Sequence, residues 1–351
     1  VITPPPRADT PDTAAAAVTI PLGQFSGDPA TIGAEHGRRF HGQIDELFNE
    51  YLMARLTGSL RIRARLAAAS FELFMPADYR AEVAALAQAA GMNVYDALLG
   101  QCYLDLLPVT ACSTIALPAS ASPDGVARMG RNLDFDSGGI LDKHSVLIVY
   151  HPAGKYAFAA IGWPGMIGVL SGMNQYGLCL ANMEVDRPVR APSAMPYMLL
   201  YRSVLEKCRT VDEAIALLQN TPRQSANNLM LMDAAGDRAV AEIRPEAVTV
   251  RRGEPASGLI STNHQRGRDT ETRGRCWRYD LLHASSSRLF GRIDRRALQG
   301  MLQKVVQGSG GTMTLQSMVF EPSSRVIYLA TGLDAPSREF QRIDLKAYFP
   351  Q

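Results

Sequence analysis

The chain has 351 residues, 46% of them hydrophobic and 20% charged, the proportions of a folded protein with a sizeable core in one large or two modest domains. Its 36 basic and 34 acidic residues leave a formal charge of +2, so the electrostatic footprint of a nucleic-acid or polyanion binder is missing. No apolar run approaches the roughly 18–20 residues that span a bilayer, and a soluble chain without a membrane span is expected.

The opening stretch VITPPPRADTPDTAAAAV is rich in Pro and Ala and lacks an apolar signal core. It reads as a flexible leader over residues 1–30, of the kind that follows a removed export signal. That favours a periplasmic or secreted location slightly over a cytoplasmic one and leaves the compartment undecided. From Thr31 to about Leu107 the pattern is helical. Ile44, Leu47, Phe48, Tyr51 and Leu52 recur at spacings of three and four, forming one face. Further helices are expected in RIRARLAAASFELFM, ADYRAEVAALAQAAG and NVYDALLGQCYLDLL, with Gly91 ending one and Asn93 capping the next.

Beyond Cys112 the pattern becomes β. SVLIVYHPAGKYAFAAIGW reads as a hairpin around Pro-Ala-Gly-Lys, GMIGVLSGMNQYGLCLANMEV as a second, and NNLMLMDAAGDRAVAEI as a third. AVTVRRG and GLISTN add strands, and helices return near residues 197–207, 211–219 and 296–307. Late strands follow in SMVFEP, RVIYLAT and REFQRIDL. Successive hairpins imply antiparallel sheets. Runs such as VLIVY, apolar at consecutive positions, imply burial on both faces, as when two sheets pack together beneath helices: an α+β layered fold. Residues 31–111 would form a helical pro-segment packed with residues 112–351 as one compact domain.

The five cysteines are scattered without a CxxC pair, and no GxGxxG, P-loop, HExxH or GxSxG occurs. A lone cysteine is ordinarily a buried structural thiol. Cys112 differs in its place, where helical sequence stops and a strand begins. A nucleophilic thiol needs a group to take its proton, and none of the six histidines sits in a papain-like context around it. If the Ala111–Cys112 bond is cut, the new α-amine, with a pKa near 8, lies on the same residue as the sulfur. Thr110-Ala111 leaves room for an N→S acyl shift. Arg131 and Asp134 in GRNLDF follow a turn at Pro123-Asp124-Gly125, so a returning strand would bring them beside Cys112. Arg131 would lower the thiol pKa and Asp134 would orient the ammonium. Asn182 in CLANMEV and Asn263 in ISTNH, at strand ends, could donate to an oxyanion. Trp163 could wall an acyl pocket. His264 is read as a packed or substrate-side residue, and in an alternative unprocessed thiol hydrolase it would be the base. A catalytically silent binding protein is a further alternative.

The ordered set ACSTIA, GRNLDF, GMNQYGLCLAN, NNLMLMDAAG and STNH, with GAEHGRRFHGQI upstream, resembles the C45 peptidase family of Ntn-hydrolases. That family is typified by acyl-CoA:6-aminopenicillanic acid acyltransferase and related to choloylglycine hydrolase and penicillin V acylase. The resemblance, from about Gly33 to Leu282, implies a four-layer αββα sandwich and an N-terminal-cysteine amidohydrolase or acyltransferase. It would act on linear N-acyl amides through a thioester, without cofactor or metal. It further implies self-cleavage between Ala111 and Cys112, with the α and β parts remaining associated, and leaves a homo-oligomer open. By position it implies catalytic roles for Cys112, Arg131, Asp134, Asn182 and Asn263. It also implies one for Arg275, with Thr272 in a serine place and Arg273 and Arg278 competing. Two positions depart from the family pattern: Ala111 stands where glycine is common, and Ser113-Thr114 replaces a Thr-rich pair.

Overall fold

The computed structural model describes residues 20–106, 110–185, 193–267, 276–309 and 312–349. An edge strand, β1 (Leu22–Gly27), comes first. Five helices follow: α1 (Pro29–Arg39), α2 (His41–Glu46), α3 (Ser59–Glu72), α4 (Ala77–Ala89) and α5 (Val94–Leu106), with a π-helical stretch at Leu47–Met53 continuing α2. Local chemistry sets these ends. Asp28 accepts the Thr31 N–H at 3.0 Å and Pro29 opens α1, a pairing of N-cap and N1 proline. Gly91 follows α4 at φ +66°, and Asn93 Oδ1 accepts the Tyr95 N–H at 2.9 Å to start α5, as expected. At Gly33 of α1 an added Cβ would stand 2.1 Å from the Glu82 carbonyl oxygen, so glycine lets α1 lie directly on α4.

The remaining strands are β2 (Thr110–Leu117), β3 (Arg128–Phe135), β4 (Val146–Pro152), β5 (Phe158–Gly162), β6 (Ser171–Asn174) and β7 (Cys179–Glu184). Helices α6 (Tyr197–Lys207) and α7 (Val211–Asn220) intervene before β8 (Asn227–Met232), β9 (Arg238–Ile243), β10 (Val248–Arg252) and β11 (Leu259–Ser261). Helices α8 (Trp277–Leu289) and α9 (Arg295–Lys304) precede β12 (Gly308–Ser309), β13 (Thr312–Glu321), β14 (Val326–Thr331) and β15 (Gln341–Asp344). The hairpins read from the sequence are all present. One sheet runs β1-β4-β5-β6-β7-β8-β9-β10 and the other β11-β2-β3-β13-β14-β15, with β12 on β13. Among the described residues every strand pairing is antiparallel except β1 with β4.

The sheets face one another, and Thr114 Oγ1 on β2 lies 3.3 Å from Met183 Sδ on β7. Helices cover both outer faces. On one side Asn174 of β6 donates to the carbonyls of Leu205 and Cys208 at the end of α6. On the other, Asn132 of β3 donates to Leu302 of α9 at 2.8 Å. The result is the α+β sandwich of two sheets between helical layers. Among the described residues no helix is long and apolar enough to cross a membrane.

Three features differ from the sequence reading. Residues 22–27 of the supposed leader are a strand, paired in parallel with β4, so the leader does not extend to residue 30. The face expected from Ile44 to Leu52 is carried by α2 and a π-helical continuation. Helix α8 was not expected, because its buried positions include Arg278, Ser285 and Ser286 and give no apolar stripe. The upstream helices are bound to the rest by a buried cluster. The guanidinium of Arg202, fully buried on α6, holds both Glu82 carboxylate oxygens at 2.7 Å and Glu206 at 2.8 Å.

Candidate active site

The site begins with one antiparallel pair. Strands β2 and β3 set Cys112 opposite Leu133 and Ala111 opposite Asp134. Alternation then puts Cys112, Arg131, Leu133 and Phe135 on the face toward the other sheet, and Asn132 and Asp134 on the face toward α8 and α9. Cys112 is therefore approached from both sides.

Each polar atom of Cys112 is held by a separate side chain. Arg131 Nη2 lies 3.5 Å from the sulfur. The backbone N–H donates to Asn263 Oδ1 at 2.8 Å. The carbonyl accepts from Arg278 Nη1. Arg278 also donates to Asn263 Oδ1 at 2.9 Å and faces Asp134 at 3.4 Å. Thr314 on β13 donates to the other Asp134 oxygen at 2.6 Å. Two donors converge on Asn263 Oδ1, while its Nδ2 donates to the Glu184 carbonyl at 2.8 Å, which fixes the orientation of the amide.

Burial governs the electrostatics. It pushes the Cys112 thiol up from its ordinary value, with Arg131 pulling the other way and Asp134 adding to the rise. Burial also pushes Asp134 up to about 7, opposed by Thr314, Arg278 and Arg131. No histidine is hydrogen-bonded to the Cys112 sulfur among the described residues. His264 has a half-buried ring whose Nδ1 is buried without a hydrogen-bond partner among the described residues, and burial holds its pKa below the usual range.

Arg131, Asp134 and Asn263 thus gather at Cys112, as the sequence led one to expect. Asn182 is present through its carbonyl, which accepts from Arg131 Nη1. Its backbone N–H donates to Leu170 at 2.9 Å, and its side-chain Oδ1 is buried without a partner among the described residues. Arg275 and Thr272 lie outside the described residues, as does Arg273; of the arginines in this segment, Arg278, the competing candidate, is the one the described residues place at the site. Thr314 was not anticipated. It reaches Asp134 through the β13–β3 pairing, between residues 180 positions apart, which leaves no local signal.

Trp163 does line a cavity, of about 130 Å³, with Leu47, Tyr51, Phe135, Leu170 and Met198 among its other walls. Trp163 is fixed by its indole N–H on the Leu141 carbonyl at 2.8 Å and packs near Phe135, ring centroids 5.5 Å apart. Cys112 is not in the cavity wall, and two links run from that wall toward it. Phe135 shares a face of β3 with Arg131, and the Leu170 carbonyl holds the N–H of Asn182, whose own carbonyl holds Arg131. His264 is not part of this wall. Among the described residues no group of three or more His, Cys, Asp or Glu is placed to hold a metal ion.

Comparison with known proteins agrees with this architecture. The acyl-coenzyme A:6-aminopenicillanic acid acyl-transferase family model matches residues 121–335, a span that includes Arg131, Asp134, Asn182, Asn263 and Arg278 and begins beyond Cys112. Protein dcd1B of Dictyostelium discoideum is 24% identical over 227 residues, 57% of this chain and 45% of that protein. The chain thus spans less than half the length of that curated relative. Among solved structures, a variant of conjugated bile acid hydrolase from Clostridium perfringens superposes with a TM-score of 0.50 at 15% identity, covering 67% of this chain and 93% of that one. Penicillin V acylase from Agrobacterium tumefaciens gives 0.49 at 14% identity, covering 67% and 86%. With the family model spanning more than half of its length, this chain belongs to the acyl-coenzyme A:6-aminopenicillanic acid acyl-transferase family, on an Ntn-hydrolase fold.

Proposed function

We propose that this protein is an enzyme of the Ntn amidohydrolase and acyltransferase class, that it cleaves itself before Cys112, and that the freed cysteine then attacks N-acyl amides. One observation carries the proposal. The nitrogen, sulfur and carbonyl of Cys112 are each held by a different side chain, Asn263, Arg131 and Arg278, an arrangement a structural thiol has no need of. The family match and the shared fold support the reaction class.

The chemistry follows from what surrounds the sulfur. A buried thiol with a raised pKa and no histidine on it stays protonated at neutral pH and is a poor nucleophile. In self-cleavage the sulfur attacks the Ala111 carbonyl carbon through a five-membered ring. The S–C bond forms, the C–N bond breaks, and the thiol proton passes to the departing nitrogen. Water then hydrolyses the thioester, leaving an Ala111 carboxylate and a free Cys112 with its own amine. That amine, still beside Asn263 Oδ1, takes the thiol proton during attack on a substrate acyl carbon. The substrate nitrogen leaves with the proton. The resulting acyl-thioester passes its acyl group to water or to an amine. Arg131 stabilises the thiolate and Asp134 the ammonium, as the resemblance implies. The cavity, mostly apolar and walled in part by Trp163, suits an apolar acyl group.

Intact-mass analysis and N-terminal sequencing test the proposal. The purified protein should contain a fragment beginning CSTIAL, and Cys112→Ala should yield one uncut chain without amidase activity. Cys112→Ser should cut slowly and turn over poorly. An intact wild-type chain with full activity on N-acyl amides would instead point to the unprocessed hydrolase. Saturable binding of N-acyl amides with no turnover and no labelling of Cys112 would point to a silent binding protein.

A further inference from the structure

Asn228 plays no part in the chemistry above, yet it holds the residue that does. It lies on β8 of one sheet, fully buried, and its Nδ2 donates across to the segment that follows β11 of the other sheet. The two acceptors are the carbonyls of Thr262, at 2.8 Å, and His264, at 2.9 Å. These are the residues on either side of Asn263. We infer that Asn228 is a positioning residue, whose paired hydrogen bonds aim the Asn263 amide at Cys112; the inference rests on the proposed role of that cysteine.

Three observations separate this from an asparagine that merely fills a polar spot in the core. First, the Asn228 Oδ1 is buried without a hydrogen-bond partner among the described residues, a costly arrangement for a group serving only to satisfy its surroundings. What the side chain supplies is two donors, both spent on the peptide groups flanking one residue. Second, the chain just downstream is held by other means. Glu242 accepts the N–H groups of Arg266 and Gly267 at 2.8 and 2.7 Å, and Gln265 donates to the Ile243 carbonyl at 2.8 Å. Residues 265–267 therefore stay docked without Asn228, and its loss frees mainly the stretch around Asn263. Third, Asn263 is demanding of placement. Its Oδ1 serves the Cys112 nitrogen and Arg278 together while its Nδ2 reaches Glu184, and no tilt of the amide keeps all three.

The fold supplies a matched control. Asn174 is also fully buried, and its Nδ2 also donates to two carbonyls, Leu205 at 2.9 Å and Cys208 at 2.7 Å, on the opposite side of the same sheet. Asn228→Ala and Asn174→Ala should be compared for thermal stability, self-cleavage rate, and kcat and KM per matured site, sites being counted by mass as chains beginning at Cys112. Asn228→Ala should slow self-cleavage and lower kcat by about 10- to 100-fold with KM changed by no more than about twofold, the signature of a displaced reacting group. Asn174→Ala should lower the melting temperature and leave kcat per site within about twofold. In an Asn263→Ala background, Asn228→Ala should cost less than about threefold more, because its route of action is already gone.

Unchanged kcat per site in Asn228→Ala, or a full multiplicative loss on top of Asn263→Ala, would overturn the inference. Should Asn228→Ala not fold, Asn228→Leu keeps the volume and carries the same measurements; failure of both to fold marks the residue as structural and also overturns it. Cys112→Ala is run beside them. If that variant still turns over, the functional proposal itself has failed; if it is dead while Asn228→Ala behaves like Asn174→Ala, only the positioning role is lost.

Discussion

The side-chain oxygen of Asn263 lies 2.8 Å from the backbone nitrogen of Cys112, across 151 positions of sequence. In the uncut chain that nitrogen is an ordinary amide, and the contact accounts for one hydrogen bond in a strand end. Its meaning changes if the nitrogen becomes an amine. An oxygen acceptor already in place then orients the N–H bonds, and so leaves the lone pair free to face the sulfur.

Replacement of Asn263 should follow from this. Asn263→Ala removes the acceptor for both Cys112 and Arg278 and should lower kcat on an N-acyl amide by about 100-fold or more, in the range seen when a single aligned polar group is deleted. Asn263→Asp keeps an acceptor oxygen and pairs with Arg278, and should retain more activity than Asn263→Ala. Single-turnover measurements on matured protein check the order of the three. Equal rates for Asn263→Ala and the wild type would remove this residue from the site.

How much of this was visible in the sequence depended on the distance between partners along the chain. The hairpins were legible because apolar runs are broken by turn residues such as Asp233-Ala-Ala-Gly236, where Gly236 takes φ +86°. Cys112, Arg131 and Asp134 were legible as a group because they sit on adjacent strands joined by one turn. Arg278 was harder to choose among neighbouring arginines, since helix α8 buries Arg278, Ser285 and Ser286 on its inner face and carries little apolar periodicity. No role for Thr314 or Asn228 was legible. Thr314 reaches the site by a pairing between strands distant in sequence, and Asn228 by a side-chain hydrogen bond from one sheet to the segment beyond β11, so neither contact leaves a local signal, although Asn228 falls within NNLMLMDAAG. Strand β1 escaped notice because LGQFSG carries two glycines and one buried aromatic, too short a pattern to alternate clearly.

The Glu82–Arg202 pair should act as the strut between the upstream helices and the rest. Both groups are buried and bidentate, and Arg202 keeps Glu206 as its second partner. Removing Glu82 leaves the buried guanidinium with Glu206 as its one carboxylate partner and Nη2 without its acceptor, at a cost of up to about 3–5 kcal/mol, the range for a broken buried pair. Glu82→Ala should therefore shift urea unfolding by that order. If the chain is cut as proposed, Glu82→Ala should also release the upstream part at lower urea than the wild type. A shift below about 1 kcal/mol, the scale of an exposed pair, would assign the cohesion to the apolar contacts around α4 instead.

Asp105 provides a test of pH dependence away from the nucleophile. It is buried near the start of α6, accepts from Ser225 Oγ, and has its pKa pushed up to about 7, chiefly by burial. In the unfolded chain its pKa is near 4. Between those values the native state holds more protons than the unfolded chain, so stability falls as pH rises from about 4 to about 7. The span corresponds to about 4 kcal/mol at full effect. Asp105→Asn keeps an acceptor for Ser225 and cannot ionise. It should be more stable than the wild type at pH 8, with the advantage gone or reversed at pH 4, as read from urea titrations at both values. Parallel profiles for the two proteins would show that this carboxyl titrates normally in the folded chain.

His36 should drive stability in the opposite direction. Its ring is fully buried on α1, stacked on Phe25 with centroids 5.2 Å apart, and burial together with Arg202 pushes its pKa down to about 3. Nε2 accepts the Gly165 N–H at 3.0 Å, which requires the neutral ring with its proton on Nδ1, toward Tyr150. The unfolded histidine titrates near 6.5, so below that pH the unfolded chain binds a proton that the native state refuses. Stability should then fall as pH drops from about 6.5 toward about 3, by about 5 kcal/mol in all. Protonation would also abolish the acceptor for Gly165, in the turn that carries Trp163 along the cavity wall. Trp163 is buried, whereas the chain's other tryptophan, Trp277, is half exposed at 51%, so fluorescence can follow the turn separately from global unfolding. On acidification the Trp163 emission should shift to the red at or before the loss of helical circular dichroism. In His36→Gln, which has no proton to gain, the acid slope of stability between pH 6 and 4 should be markedly shallower. An unchanged slope would mean that some other group takes up the acid proton, and that the grip of α1 on the cavity turn is indifferent to pH.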